Sequence, residues 1–329
     1  MAGEYSNSAN KKKGFITYVS EKTGKVKEKE LELSIVGNRL VFEGDIVVGT
    51  TESVTKAEKE GKSKLRSGIP SADLAENARP GDVLRGVVIV GSQYRWPNST
   101  IPYVIHDDLT NPERVTDAIS HWEENTPITF VERTTETDYV RFIPDPDSCW
   151  SYVGKQGGRQ DIGLSTGCTT GNAIHEIGHT VGLWHEQSRE DRDNFVTINW
   201  ENIEEEAKHN FNQQISDGDD VLNYDYNSIM HYPRKAFSIN GKETITPPDG
   251  VNIGQRTGLS DGDIAAVIYM YGNGELFIGN KRTKELHVWD CHWVDLMATS
   301  NKRYYWTIEN PVLSGYNGCH YCMKRWDTG

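Results

Sequence analysis

Residues 175–186 read HEIGHTVGLWHE, a stretch that leaves the chain little freedom. His175 and His179 are four apart, so on a helix at about 100° per residue they lie about 40° from each other, on one face. A continued helix would swing His185 about 240° away from His179. For three imidazoles to converge the helix must stop, and Gly182 can stop it. Lacking a Cβ, it enters the left-handed region at little cost and reverses the chain. The spacing therefore predicts a helix through His179, a turn at Gly182, and His185 carried back beneath the first pair.

Three neutral imidazoles suit zinc and leave one of about four tetrahedral positions open to water, the mark of a catalytic site. Zinc lowers the pKa of bound water towards about 7, and Glu176, beside His175, is placed to take its proton and return it to a departing amine. That is the chemistry of peptide hydrolysis. A zinc site without hydrolysis leaves Glu176 with no role.

The rest of the chain must build a scaffold for this site. Its 329 residues allow one full-sized domain with appendages. A net charge of −13 argues against a nucleic-acid partner, and no apolar run approaches the roughly 20 residues of a membrane span. The N-terminus lacks the apolar core of a signal peptide, so export is signal-independent or a signal has been trimmed. Residues 14–50 alternate as strands around Thr23-Gly24 and a Gly37-Asn38 hairpin turn. From about Thr51 to Arg85 the composition is that of a polar linker. Asn111-Pro112 starts a helix with Val115, Ala118, Ile119 and Trp122 as its buried stripe. Strand-like ITFVERT, DYVRFIP and DIGLS precede the histidine helix, and Ser260-x-x-Asp263 opens a last helix over about 261–271. The expected fold is α+β: a twisted sheet and two long helices above, an irregular lobe below, and a cleft between.

HExxHxxGxxHE followed by SIMHY at 228–232, SCWSYVGKQGG at 148–158 and REDRDNFVTIN at 189–199 resemble the astacin family of metzincin zinc endopeptidases. The likeness covers about residues 87–272. It implies that His175, His179 and His185 bind zinc and that Glu176 is the general base. It further implies that Met230 lies in an apolar turn below the metal and that Tyr232 ligates at rest and swings to the tetrahedral intermediate. Phe42-Glu43-Gly44-Asp45-Ile46 resembles the FxGDI element of the family's pro-segments, whose aspartate displaces the catalytic water. Taken alone it reads as a Gly-Asp turn between strands. The resemblance thus implies a zymogen with Asp45 as inhibitory ligand, cut by an activating protease near Arg85–Val87, after which Glu186 pairs with the new α-ammonium. It also implies a Cys149–Cys168 disulfide and hence a secreted protein; the family's second disulfide has no cysteines here.

Three cysteines remain. His287-x3-Cys291 and Cys319-x2-Cys322 supply a Cys₃His set suited to a second, structural zinc, in a unit of about 55 residues that could barely fold without a staple. This stretch looks like small zinc-binding cassettes at the ends of bacterial proteins; a disulfide within Cys319–Cys322 or to Cys291 is the alternative. The expected division is a pro-segment over 1–86, a catalytic domain over 87–272 and a small module over 275–329, with protein or peptide substrates. Two other readings stand beside the endopeptidase: a zinc hydrolase of non-protein amides, and a binding protein with a vestigial protease fold.

Overall fold

The computed structural model describes residues 11–20, 25–52, 85–89, 92–213, 218–222, 224–272, 277–288, 291–298, 301–305 and 308–327. Most of the expected polar linker and the Thr23-Gly24 turn lie outside them.

The N-terminal segment is a four-stranded antiparallel meander, β1 (Lys11–Ser20), β2 (Lys25–Val36), β3 (Arg39–Phe42) and β4 (Ile46–Thr50). Gly37-Asn38 forms the expected tight turn, with Gly37 at φ 61°. After β5 (Arg85–Ile89) the main sheet is built from β6 (Thr100–Ile105), β7 (Thr129–Glu132), β8 (Tyr139–Pro144), β9 (Cys149–Trp150) and β10 (Arg159–Leu164). Their order is β7-β6-β8-β10-β9, parallel except for β9 on its edge. Parallel strands must be covered, and two helices pack against this sheet. In α1 (Glu113–Asn125) the stripe Val115, Ala118, Ile119 and Trp122 is buried, and Trp122 Nε1 donates across to the Ile174 carbonyl at 3.1 Å.

The second helix, α2 (Thr170–Val181), opens with a reciprocal Thr169/Asn172 capping box. It ends at Gly182, whose φ is 120°. A Cβ there would meet Ile89 Cγ2 at 2.7 Å, so conformation and space both require glycine. A Cys149–Cys168 disulfide joins β9 to the loop entering α2. Arg114 holds that loop with hydrogen bonds to the Ser165 and Cys168 carbonyls, 2.6 Å each.

The described residues between 186 and 260 are mostly turns and 3-10 segments with the short strands β11 (Thr197–Ile198), β12 (Gly218–Leu222) and β13 (Ile245–Thr246), around a core of Val196, Ile203, Phe211, Tyr224, Tyr232 and Ile245. β12 pairs antiparallel with β5. Helix α3 (Asp261–Tyr271) begins at the expected Ser260/Asp263 capping box. The last unit is a sheet of β14 (Phe277–Asn280), β15 (Glu285–Val288), β16 (Lys302–Tyr305) and β17 (Asn317–Gly318), ordered β16-β14-β15-β17. It shares a core with the rest: Ile278, Val294, Met297 and Tyr304 join the buried cluster that contains Ala265 and Ile268 of α3. Among the described residues no helix is long and apolar enough to cross a membrane.

The N-terminal meander docks on the exposed edge beyond β9. Val47 N–H donates to the Ser151 carbonyl at 2.7 Å, Ser151 N–H donates to the Asp45 carbonyl at 3.0 Å, and Ile46 pairs with Ser151 in parallel. Leu33, Leu40, Phe42 and Ile46 are buried against Ile89, Tyr94, Val153 and Trp184. Burying side chains of this size stabilises by about 1.5–3 kcal/mol each, so the hairpin is held by packing as well as by polar contacts.

Candidate active site

Helix α2 places His175 and His179 on one face, and the turn at Gly182 returns His185 to them, as the spacing requires. All three rings are fully buried, and Asp45 enters among them from the loop between β3 and β4. That loop takes left-handed conformations at Glu43 (φ 47°) and Gly44 (φ 80°), which folds the backbone sharply into the cleft.

The donor geometry fits a tetrahedral ion. Ligand distances of about 2.0–2.2 Å set neighbouring ligand atoms about 3.3–3.6 Å apart around a tetrahedron. Asp45 Oδ2 lies 3.3 Å from His185 Nε2 and 3.4 Å from His175 Nε2, and Asp45 Oδ1 lies 3.6 Å from His179 Nε2. The Nε2 atoms of His175 and His179 are buried without a hydrogen-bond partner, a costly state that a bound cation would relieve.

The other ring nitrogens set the tautomers. His175 Nδ1 donates to the Ile229 carbonyl at 2.8 Å, His179 Nδ1 to the Leu183 carbonyl at 2.8 Å, and His185 Nδ1 to Glu43 Oε2 at 2.7 Å. Those oxygens only accept, so each Nδ1 carries a proton and turns Nε2 towards the centre. At His185 burial is outweighed by Asp45 and then Glu43, which raise the ring to about 9. Burial, reinforced by the Arg256 guanidinium, holds His175 well below its ordinary value, and burial also lowers His179. Both rings are neutral and ready to ligate.

Glu176 follows His175 on α2 and is fully buried. Met230 packs under the helix, where a Cβ on Gly178 would meet its sulfur at 2.6 Å. Its turn is fastened by Asp263, which accepts from Ser228 Oγ at 2.6 Å and Ile229 N–H at 2.9 Å, and by Arg256, whose Nη1 donates to the Ile229 carbonyl at 2.8 Å. The Tyr232 ring lies 4.7 Å from that of His185, and its hydroxyl donates to the Glu43 carbonyl. Glu186, buried, accepts from Asp225 N–H at 2.7 Å and lies 3.8 Å from Arg189. Burial pushes its carboxyl well above the ordinary range.

In the C-terminal unit His287, Cys291, Cys319 and Cys322 converge, with ligand atoms all within 4.8 Å of one another. His287 Nδ1 is buried without a hydrogen-bond partner. His292 and His320 are exposed, and His320 bonds Asp327 instead.

Three site features escape a reading of the sequence. Glu43 was visible only as the variable position of FxGDI, Arg256 carries no motif signal, and Asp263 reads as a helix cap although it also holds the Met230 turn.

A family model described as Astacin, a peptidase family, matches residues 89–272. Bone morphogenetic protein 1 of Xenopus laevis is 37% identical over 237 residues, 68% of this chain and 32% of its own length. Zinc metalloproteinase nas-13 of Caenorhabditis elegans is 41% identical over 184 residues, 54% of this chain and 41% of its own. The chain thus spans well under half of either relative. Among solved structures, high choriolytic enzyme 1, a hatching enzyme zinc-protease from Oryzias latipes, superposes with a TM-score of 0.52 at 37% identity, covering 57% of this chain and 98% of that one.

Proposed function

The chain belongs to the astacin family of peptidases, and from that membership we propose that it is a zinc endopeptidase held in a latent, uncleaved form. One observation carries the latency: the Asp45 carboxylate stands among three ligating imidazoles at tetrahedral-edge distances. The accompanying division is a pro-segment over 1–86, a catalytic domain over 87–272 and a tail over 275–329.

His175, His179 and His185 would hold a zinc ion, which would supply Lewis acidity to polarise the scissile carbonyl and acidify a water. Glu176 takes the water's proton and hands it to the leaving amine. Tyr232, released when the Glu43 carbonyl withdraws, donates to the developing oxyanion. Substrate binds extended along the sheet edge, the backbone-directed mode, and the pairing of residues 45–47 with Ser151 supports this by occupying that edge. The disulfide suits an oxidising compartment and so supports export.

Activation cuts near Arg85–Val87. That bond lies in β5, paired with β12, so the activating protease must first draw the strand out of its ladder. The test is limited proteolysis there, removal of the released pro-segment, and casein digestion. Digestion should begin only after the cut and stop with a zinc chelator; intact casein with a zinc-loaded, confirmed cut chain rejects the reading.

Release of the pro-segment should depend on acid. Arg39 forms an ion pair with Asp145 and stacks over Trp150 at 4.5 Å, while Trp150 Nε1 donates to Asp145 at 2.8 Å. Burial opposes the charge on Asp145, but Arg39 and then Trp150 outweigh it and hold the carboxyl below its ordinary value of 3.8. A depressed docked pKa means that this contribution is complete above about pH 4 and is lost as pH falls through the docked value. Arg39→Ala should therefore raise pro-segment dissociation from the cut chain about 10-fold or more near neutral pH, from a charged contact of about 1.5–3 kcal/mol. The variant and wild-type curves should converge in strong acid. Dissociation measured by size-exclusion chromatography across pH would show curves that stay parallel if the pair is irrelevant.

The tail cluster holds a second, structural zinc. The buried His287 Nδ1 supports this, as does the convergence of the four ligand atoms within 4.8 Å of one another. Metal analysis should find two zinc ions per chain, falling to one in Cys319→Ser; one ion in the wild type, with two tail cysteines oxidised, refutes the assignment.

A further inference from the structure

The three imidazoles are not held alike. His175 and His179 lean on main-chain carbonyls of residues 229 and 183, which stay with the catalytic domain after any cut near Arg85. His185 leans on Glu43 Oε2 at 2.7 Å, a carboxylate brought from the N-terminal segment across 142 residues of sequence. The contact is built rather than incidental. Glu43 is fully buried, its other oxygen accepts from Ser188 Oγ at 2.6 Å, and its backbone sits in a left-handed conformation.

A partner on the far nitrogen of a ligating histidine fixes the ring's orientation, raises its basicity, and is worth about 10–100-fold in metal affinity. A carboxylate does this more strongly than a carbonyl, because the hydrogen bond is charge-assisted. We propose that Glu43 is a metal-retaining positioning residue: through His185 it makes the uncleaved chain the form that loads and keeps the metal, a role separate from the blocking action of Asp45. This rests on the reading of the three histidines as a zinc site. It follows that cleavage takes away one ligand's outer support together with Asp45.

The experiment uses the full chain loaded with cobalt(II). Thiolate ligation in the tail gives a charge-transfer band that an imidazole and carboxylate site lacks, so the two sites read separately. Chelator titrations are compared for wild type, Glu43→Ala, Glu43→Gln and Arg39→Ala. The glutamine variant keeps the shape and one acceptor oxygen and guards against a fold defect, and Arg39→Ala loosens docking without touching His185. The expected result is loss of the histidine-site cobalt at about 10–100-fold lower chelator in Glu43→Ala, an intermediate value for Glu43→Gln, and little change in Arg39→Ala. Equal retention in Glu43→Ala and wild type overturns the proposal, as does an equal loss in Arg39→Ala. A wild-type chain that shows no histidine-site cobalt spectrum overturns the zinc-site reading itself.

Discussion

Glu176→Gln is expected to lower the turnover of the activated chain by about 10²–10⁴-fold, the usual contribution of a positioned general base, equivalent to about 3–5 kcal/mol of barrier. Glu176 is fully buried on α2, one residue beyond a metal ligand. The amide fills the same volume and leaves His175, His179 and His185 untouched, so zinc content should be unchanged. What is lost is the ability to accept a proton from water and return it to the amine. Peptide hydrolysis by cut wild-type and variant chains, each assayed for bound zinc, decides the matter. A variant with full zinc and turnover within about 10-fold of wild type would remove Glu176 from the role of general base.

Asp45→Ala in the uncleaved chain should release latency. The carboxylate is fully buried, and burial alone would raise its pKa, but the surrounding histidines, His185 foremost, hold it well below the ordinary range. Removing one partner from a buried ionic cluster costs about 3–5 kcal/mol, which shifts the docked–undocked balance of the segment by about 10²–10⁴-fold. The hairpin would still pack through Phe42 and Ile46 and still pair with Ser151, so activity should fall short of that of the cut enzyme. Hydrolysis of a fluorogenic peptide, with gels showing the chain intact throughout, measures the effect. An uncut variant as silent as wild type would mean that packing and the Glu43 contacts suffice for latency.

Together these substitutions separate the two jobs proposed for two fully buried carboxylates. On the proposed reading Glu176 serves the reaction and stays with residues 87–272, whereas Asp45 serves its suppression and leaves with the hairpin. The tail adds a third element. Its core is continuous with α3 through Ile278, Val294, Met297 and Tyr304, so a metal clip there would also steady the end of the catalytic domain, where the family's second disulfide is missing.

Local features were legible from the sequence because they depend on residues a few positions apart. The capping boxes at Thr169 and Ser260, the Val115-to-Trp122 stripe and the Gly37-Asn38 turn are settled within a turn or two of backbone. The three histidines fall in the same class, since helix pitch and one glycine bring them together.

The sequence by itself determined which atoms could grip a metal, and which residue beside them could move a proton. Only the tertiary structure decided what faces that metal from outside. Glu43 supporting His185, Asp45 between the rings, Arg39 on Asp145, and Asp263 and Arg256 beneath the Met230 turn all join residues far apart in the chain. No local periodicity encodes such pairs, because they exist only once sheet, helix and hairpin have packed and a buried polar group must find its partner wherever the fold puts one.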